Sequence, residues 1–293
     1  MIRLTFPDGC LTSAQLKAVA QIASEFQSDS ADFTPHRDLR LRGIPADRME
    51  AAARRLTEAG ISLEQEASAE PEAATAPDSS NAPDQAGVYE QPQAGLFTLA
   101  VPVFAGRFSV SQMRKSADLS ERYAGGSLQL AAHQKLLVLN VPKERVVQVL
   151  EGLEAVDFRV AVSSYYRGFT ACAEEAEGRA RELVSYLEKQ VPLEEPLRIH
   201  LSGLSCDCGA LPPVQIVLRR TKVQVEDRII EVYDLVIPVQ PETAVTGIPA
   251  GQLKYRLEKL LTGYKRGRQP PESFNQFCQR AGPEELARLL CEE

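Results

Sequence analysis

Apolar residues recur along this chain in two alternating rhythms. Ile2, Leu4 and Phe6 stand at every second position, a strand pattern, and Asp8-Gly9 breaks it. Leu16, Val19, Ala20, Ala23 and Phe26 follow at helical spacing, with Thr12 or Ser13 as the N-cap. Ser28 to Asp32 is polar and reads as a turn. Leu39-Arg40-Leu41-Arg42 returns to the strand rhythm, so Arg40 and Arg42 share one face. Pro45-Ala46-Asp47 opens a second helix that stops at Ala59-Gly60, with proline at its start and glycine past its end.

From about Thr98 the same order returns. Adding 97 carries Gly9 to Gly106, Gln15 to Gln112, Leu16 to Met113, Ala20 to Ala117 and Phe26 to Tyr123. The same step carries His36 to His133, Leu39 to Leu136, Pro45 to Pro142, Arg48 to Arg145 and Leu56 to Leu153. Register held without a gap across two helices and two strands marks a duplicated αβ unit. Two copies are too few for a solenoid and are expected to pair about a pseudo-twofold axis.

After Phe158 the pattern changes. Arg159 to Ser164 reads as a strand, and 173–190 as a helix with Ala176, Ala180, Leu183 and Leu187 on one face. Leu197 to Leu201 is a strand ending in Ser202-Gly203, and Cys206, Cys208 and Gly209 follow at once. Thiolates in a turn after a strand suit soft metals and iron–sulfur clusters. Gln215–Arg220, Lys222–Val225 and Ile229–Val239 form a strand group, with Glu226-Asp227 as its hairpin turn. Gln252 to Tyr264 is a helix, and Pro270-Pro271 separates it from a final helical pair.

Composition adds location more than identity. The net charge is −7, but Ser62 to Pro92 holds seven acids and no Lys or Arg, so the remainder is neutral. This interval is rich in Ala, Pro, Ser and Glu and reads as a disordered linker. No basic stripe interleaved with aromatics is present, which argues against nucleic acid. No run approaches the roughly 18 apolar residues of a membrane span. Met1 to Pro7 reads as a strand rather than a signal peptide, and the cytoplasm is the expected setting. Six irregularly spaced cysteines then imply reduced thiols or a metal site rather than disulfides.

Three stretches carry a family resemblance. Gly106 to Ala124 with Leu128 to Leu136 and Asn140-Val141-Pro142 form the first, and Ile199 to Gly203 ending in Cys208-Gly209 the second. Tyr264-Lys265 through Phe274 to Phe277 and Arg280-Ala281-Gly282 form the third. Together they resemble the nitrite/sulfite reductase superfamily. The resemblance implies an α+β chain: two ferredoxin-like half-domains paired about a pseudo-twofold, plus one nitrite/sulfite reductase-type αβ domain. Its divisions are 1–61 for the first half-domain, 62–94 for the acidic linker, 95–158 for the second half-domain and 159–293 for the cluster-type domain.

The family's cofactors, a 4Fe–4S cluster bridged to sirohaem, are what the resemblance implies here. Its four cluster thiolates come in two pairs. Cys172 matches the second thiol of the first pair, with Gly168 in the motif's glycine position, but Tyr166 stands where the first would be. Cys208 matches the bridging thiol, Leu204 replaces its partner, and Cys206 lies between them. Cys172, Cys206 and Cys208 are therefore the candidate metal ligands; read as residues alone, they are equally buried small apolar side chains. The full-length enzymes place a further domain between their half-domains, where this chain has only the acidic linker. Anion reduction needs cations, which leaves Arg37, Arg40 and Arg42 as candidates for cofactor or substrate carboxylates and oxygens. His36 stands where a half-domain strand of the family contributes an arginine near sirohaem, and His133 is its repeat equivalent.

No catalytic residue is assigned. The expected function is a nitrite/sulfite reductase-like protein with a lost or altered cluster site, acting as a redox-family or accessory subunit. Its partners would be a homologous reductase subunit or a second copy of itself. The alternatives are an active small sirohaem reductase and a tetrapyrrole enzyme like precorrin-3B synthase. His200 reads as a satisfied core histidine, Arg219, Arg220 and Lys222 as a solvated edge, and Cys10, Cys278 and Cys291 as structural.

Overall fold

The computed structural model describes residues 1–26, 29–34, 37–64, 86–132, 134–159, 162–171, 176–203, 214–225, 228–240 and 242–291. The chain divides into two units, Met1–Val162 and Ser163–Glu293.

In the first unit the duplication is structural. The first copy runs β1 (Ile2–Thr5), β2 (Cys10–Thr12), α1 (Ser13–Glu25), β3 (Ser30–Phe33), β4 (Leu39–Leu41), α2 (Met49–Glu58) and β5 (Ser62–Glu64). The second runs β6 (Gly87–Glu90), β7 (Leu96–Pro102), β8 (Arg107–Ser109), α3 (Val110–Tyr123), β9 (Ser127–Ala131), β10 (Lys135–Pro142) and α4 (Val146–Glu154). α1 and α3 start in the same way. Thr12 accepts from the Gln15 amide while Gln15 accepts from the Thr12 amide, and Ser109 and Gln112 repeat the box. Each satisfies two N-terminal donors that the helix itself leaves unpaired.

The copies exchange a strand. One sheet runs β5-β1-β4-β3-β8 and the other β2-β9-β10-β7-β6. β2 pairs Cys10, Leu11 and Thr12 with Gln129, Leu128 and Ser127. β8 pairs Arg107, Phe108 and Ser109 with Asp32, Ala31 and Ser30. A step of 97 turns each of these pairs into the other, as a pseudo-twofold requires. The Ser13 amide donates to Gly126 O and the Val110 amide to Asp29 O, both at 2.9 and 2.8 Å, and these bonds are also equivalents. α1 packs on α3, and one buried cluster takes Leu4, Leu16, Leu39 and Leu41 from the first copy with Val101, Met113, Leu136 and Val138 from the second.

Two local expectations change. The stretch read as a polar turn carries β3 from Ser30, because pairing with β4 and with the other copy's β8 satisfies its backbone. Strands also enter both ends of the expected linker: Ser62–Glu64 pairs with β1, and Gly87–Glu90 with β7. Edge strands of this kind need partners rather than apolar content, so composition hides them. Residues 65–85 lie outside the described residues.

The second unit contains α5 (Ser164–Gly168), β11 (Phe169–Ala171), α6 (Ala176–Gln190), β12 (Ile199–Ser202), β13 (Ile216–Val225), β14 (Arg228–Ile237), β15 (Thr243–Pro249), α7 (Leu253–Gly267) and α8 (Phe274–Cys291). The sheet order is β11-β12-β13-β14-β15, parallel across β11–β12–β13 and antiparallel beyond. α6 is the crossover that a parallel β11–β12 pair demands. The described residues of the strand expected from Arg159 to Ser164 are not in a strand, 160 and 161 lie outside the described residues, and α5 begins at Ser164 with its Tyr166 amide capped by the Ser163 hydroxyl at 3.1 Å. β13 is continuous where two strands were expected, and the hairpin turn Glu226-Asp227 lies outside the described residues. α8 breaks at Gly282-Pro283, which makes the expected helical pair.

Candidate functional site

The loops that carry the two candidate histidines meet in the first unit. Asp8 and Gly9 have φ of 52° and 72°, and their equivalents Ala105 and Gly106 repeat both values. A Cβ on Gly9 would overlap the Leu130 carbonyl oxygen, and one on Gly106 would lie 2.7 Å from Phe33 O. Leu130 is the repeat equivalent of Phe33, so each glycine turn is pressed against the other copy's strand end. Only glycine fits there. Gln134, 1% exposed, donates its Nε2 to Phe33 O at 2.5 Å across the pseudo-axis, and its Oε1 is buried without a partner.

Arg37 is the equivalent of Gln134 and shares its left-handed backbone, with φ of 65° against 55°. Its amide donates to Thr34 O at 3.3 Å. It therefore belongs to the turn rather than to the strand face of Arg40 and Arg42. His36 and His133 each precede one of these residues and themselves lie outside the described residues.

Arg40 and Arg42 do share a face. Leu39 and Leu41 point into the core, and Arg40 falls in one cross-strand row, Glu64–Arg3–Arg40–Asp32–Arg107. Most of this row is paired. Arg3 bridges Asp38 at 2.5 Å and Glu64 at 2.9 Å, and the Thr34 hydroxyl also donates to Asp38. Arg42 donates to Asp32 at 2.5 Å, and Arg107 reaches Asp29 and Asp32 at 3.2 and 3.5 Å. Arg40 differs: no carboxylate lies at ion-pair distance among the described residues, and its Nε is buried without an acceptor. A buried guanidinium N–H left unmade costs about 1–3 kcal/mol or more. The equivalent row in the second sheet is Gly87–Ala100–Leu137–Gln129–Cys10. There Ala100 and Leu137 are buried in a separate apolar cluster with Ala131. The copies thus keep one backbone and present opposite chemistry.

In the second unit Cys172, Cys206, Cys208 and Leu204 all lie outside the described residues. Among the described residues no group of three His, Cys, Asp or Glu could hold a metal. Tyr166, in the position that the resemblance gives to a cluster thiol, is buried within α5. A phenol there does not fit a four-thiolate cluster, whose irons take soft sulfur ligands. Gly168 has a packing reason of its own, since a Cβ would overlap the Leu197 carbonyl. Beside Tyr166, the Tyr165 hydroxyl donates to Val191 O at 2.6 Å, and burial pushes its pKa above the usual phenol range.

His200 is fully buried on β12, as expected, but it is satisfied on one side only. Its Nδ1 lies 2.9 Å from the Thr170 hydroxyl, and its Nε2 has no partner. Burial lowers its pKa to about 4, so the ring is neutral. Arg220 is not part of a solvated edge: β13 is an inner strand, and Arg220 binds Glu231 at 2.8 and 2.6 Å. The Tyr233 hydroxyl donates to the same carboxylate at 2.6 Å. Glu231 and Tyr233, neighbours on one face of β14, were missed because the arginine they meet lies on β13.

Comparisons agree with this architecture. The sequence model described as the nitrite/sulfite reductase ferredoxin-like half domain matches residues 1–59 and 89–156. The assimilatory ferredoxin-dependent nitrite reductase of Haloferax mediterranei is 24% identical over 225 residues, covering 70% of this chain and 38% of that protein. The ferredoxin–nitrite reductase of Synechococcus elongatus is 27% identical over 191 residues, 60% of this chain and 37% of that protein. A sulfite reductase [ferredoxin] of Mycolicibacterium paratuberculosis is 28% identical over 139 residues, 43% of this chain and 25% of that protein. The chain thus matches less than two fifths of the length of these relatives. The Mycobacterium tuberculosis NirA structure covers 97% of this chain and 84% of its own, with a TM-score of 0.79 at 16% identity, which is a likeness of fold. By its matched half-domain segments, by its relatives and by its fold, the chain is similar to the nitrite/sulfite reductase superfamily.

Proposed function

We propose that this is a nitrite/sulfite reductase-type protein whose four-thiolate cluster site is lost or altered, and that it works in the cytoplasm as a redox-family or accessory subunit. The observation that carries this reading is Tyr166, a buried phenol within a capped helix at the position of a cluster thiol. Leu204 in place of a second thiol points the same way. A partner reductase subunit or a second copy would supply what the chain lacks. No helix among the described residues is long and apolar enough to cross a membrane.

One observation favours a retained anionic tetrapyrrole, and with it the second reading of a working sirohaem reductase. Arg40 keeps a guanidinium edge with no protein acceptor on an otherwise neutralised face, which suits a tetrapyrrole carboxylate. Sirohaem, where bound, supplies the iron at which such reductases bind their anion. Arg40 would hold a carboxylate of the macrocycle, while Arg3, Arg42 and Arg107 are engaged with acids of the chain. Arg37, His36 and His133 remain candidates at the neighbouring turns.

The test is anaerobic purification with a visible spectrum and assays of iron and acid-labile sulfide. The proposal expects well below about four irons per chain. Sirohaem bands with about four irons and matching sulfide would overturn it. The pair Tyr166→Cys and Leu204→Cys is expected to raise iron and sulfide content together, a gain that an intact native cluster site could not show.

A further inference from the structure

The duplication supplies its own control at the C-terminal ends of α1 and α3. In the first copy Glu25 forms a two-pronged ion pair with Arg55, one prong at 3.0 Å, which ties α1 to α2. A step of 97 turns Glu25 into Arg122 and Arg55 into Gly152. The charge at the first position is reversed, and the second has no side chain. Gly152 has a steric cause: a Cβ there would lie 2.7 Å from a methyl of Leu119 on α3. Arg122 consequently has no internal partner of this kind.

It has company instead. The guanidinium carbon of Arg122 lies 5.4 Å from the Tyr123 ring centre, and that of Arg145 lies 5.7 Å from the same ring. Arg145 bonds Gln148 at 2.9 Å, and neither arginine has a carboxylate at ion-pair distance among the described residues. Lys143 stands exposed in the same turn as Arg145, beside the exposed Glu144. The other nearby acids, Asp118 and Glu121, are held by Lys17.

We propose that Arg122, Tyr123 and Arg145 form a docking point for a carboxylate-rich protein surface. The guanidinium forks match carboxylates in a two-pronged geometry. Contact with the ring limits their freedom, so less is lost when they bind. Tyrosine with arginine is also the composition that concentrates binding energy at interfaces. A small free oxyanion fits less well, because both guanidiniums are exposed and would leave it hydrated. This surface is distinct from the Arg40 face and does not depend on the cofactor reading.

The test uses the full chain and a fluorescein-labelled poly-glutamate peptide, followed by anisotropy at low ionic strength. Arg122→Gln with Arg145→Gln is expected to weaken binding about tenfold or more and to flatten its salt dependence. Lys222→Gln with Arg228→Gln makes the same change in net charge elsewhere and is expected to leave affinity within about twofold. An equal loss in both double variants, or no binding by the parent protein, overturns the proposal. Competition by inorganic phosphate at equal charge concentration also overturns it, because the site would then be one for small oxyanions. Circular dichroism of each variant separates lost binding from lost folding.

Discussion

Acid should weaken this protein through His200, and the size of the effect follows from its surroundings. The ring is fully buried, one nitrogen faces the Thr170 hydroxyl and the other faces no acceptor, so a proton added there would be a buried, uncompensated charge. Its folded pKa of about 4 compares with an ordinary value of 6.5. The folded value is depressed, so the contribution is complete above pH 6.5. It declines as pH falls, because the unfolded chain takes up a proton that the folded one refuses, and levels off below pH 4. The full difference is about 3 kcal/mol, of which about 2.5 kcal/mol is lost by pH 4.5. Urea unfolding at pH 7.5 and pH 4.5 on the parent protein and on His200→Met isolates this share, since other titrating groups cancel. The parent should lose about 2.5 kcal/mol more than the variant. An independent readout is the proton spectrum of the three histidines, in which the resonance missing from the variant should not titrate between pH 8 and pH 5. A difference below about 0.5 kcal/mol, or a titration midpoint near 6.5, would refute the reasoning.

Other outcomes follow from the same structure. Gly9→Ala forces a side chain onto the Leu130 carbonyl at positive φ and should cost more than about 2 kcal/mol in thermal or urea unfolding. Gly95→Ala has positive φ but open space around it and should cost only about 1 kcal/mol. Asp38→Ala removes a buried carboxylate from Arg3 and Thr34 and should destabilise by about 3 kcal/mol. Arg40→Met removes an unpaired guanidinium edge and should be neutral or slightly stabilising in the cofactor-free protein, while weakening any tetrapyrrole binding. Tyr165→Phe leaves the Val191 carbonyl without its donor and should cost about 1 kcal/mol.

Elements whose cause is local were legible in advance. The capped starts of α1 and α3, the apolar stripes of the helices and the Pro45 and Pro142 entries to α2 and α4 depend on neighbours within a turn or two. Strands whose cause lies far along the chain were hidden. β2 and β8 are three residues each, and nothing in Cys10-Leu11-Thr12 announces a partner at Gln129. β15 has only Thr243 and Ile248 buried, so its weak alternation gave no signal. Arg159 to Ser164 looked extended because Val160-Ala161-Val162 is a short apolar run with two β-branched residues, but its last residue opens α5, which the Ser163 cap starts and the close approach of Gly168 to Leu197 packs.

The candidate site divides along the same line. Sequence identified Arg40 and Arg42 as neighbours on one face, since alternation is a property of the strand itself. It could not say that Arg42 would be taken by Asp32 and Arg40 left over, because the acid sits on β3 and the row is assembled only when five strands align. The duplication, its period and its family resemblance lie in the order of residues alone. Which residue completes each row was decided by the strand exchange, which brings Arg107 to the first copy's sheet and Cys10 to the second's and joins residues more than seventy positions apart. Pairing at that distance is settled by how the sheets close over one shared core, and no local pattern encodes it.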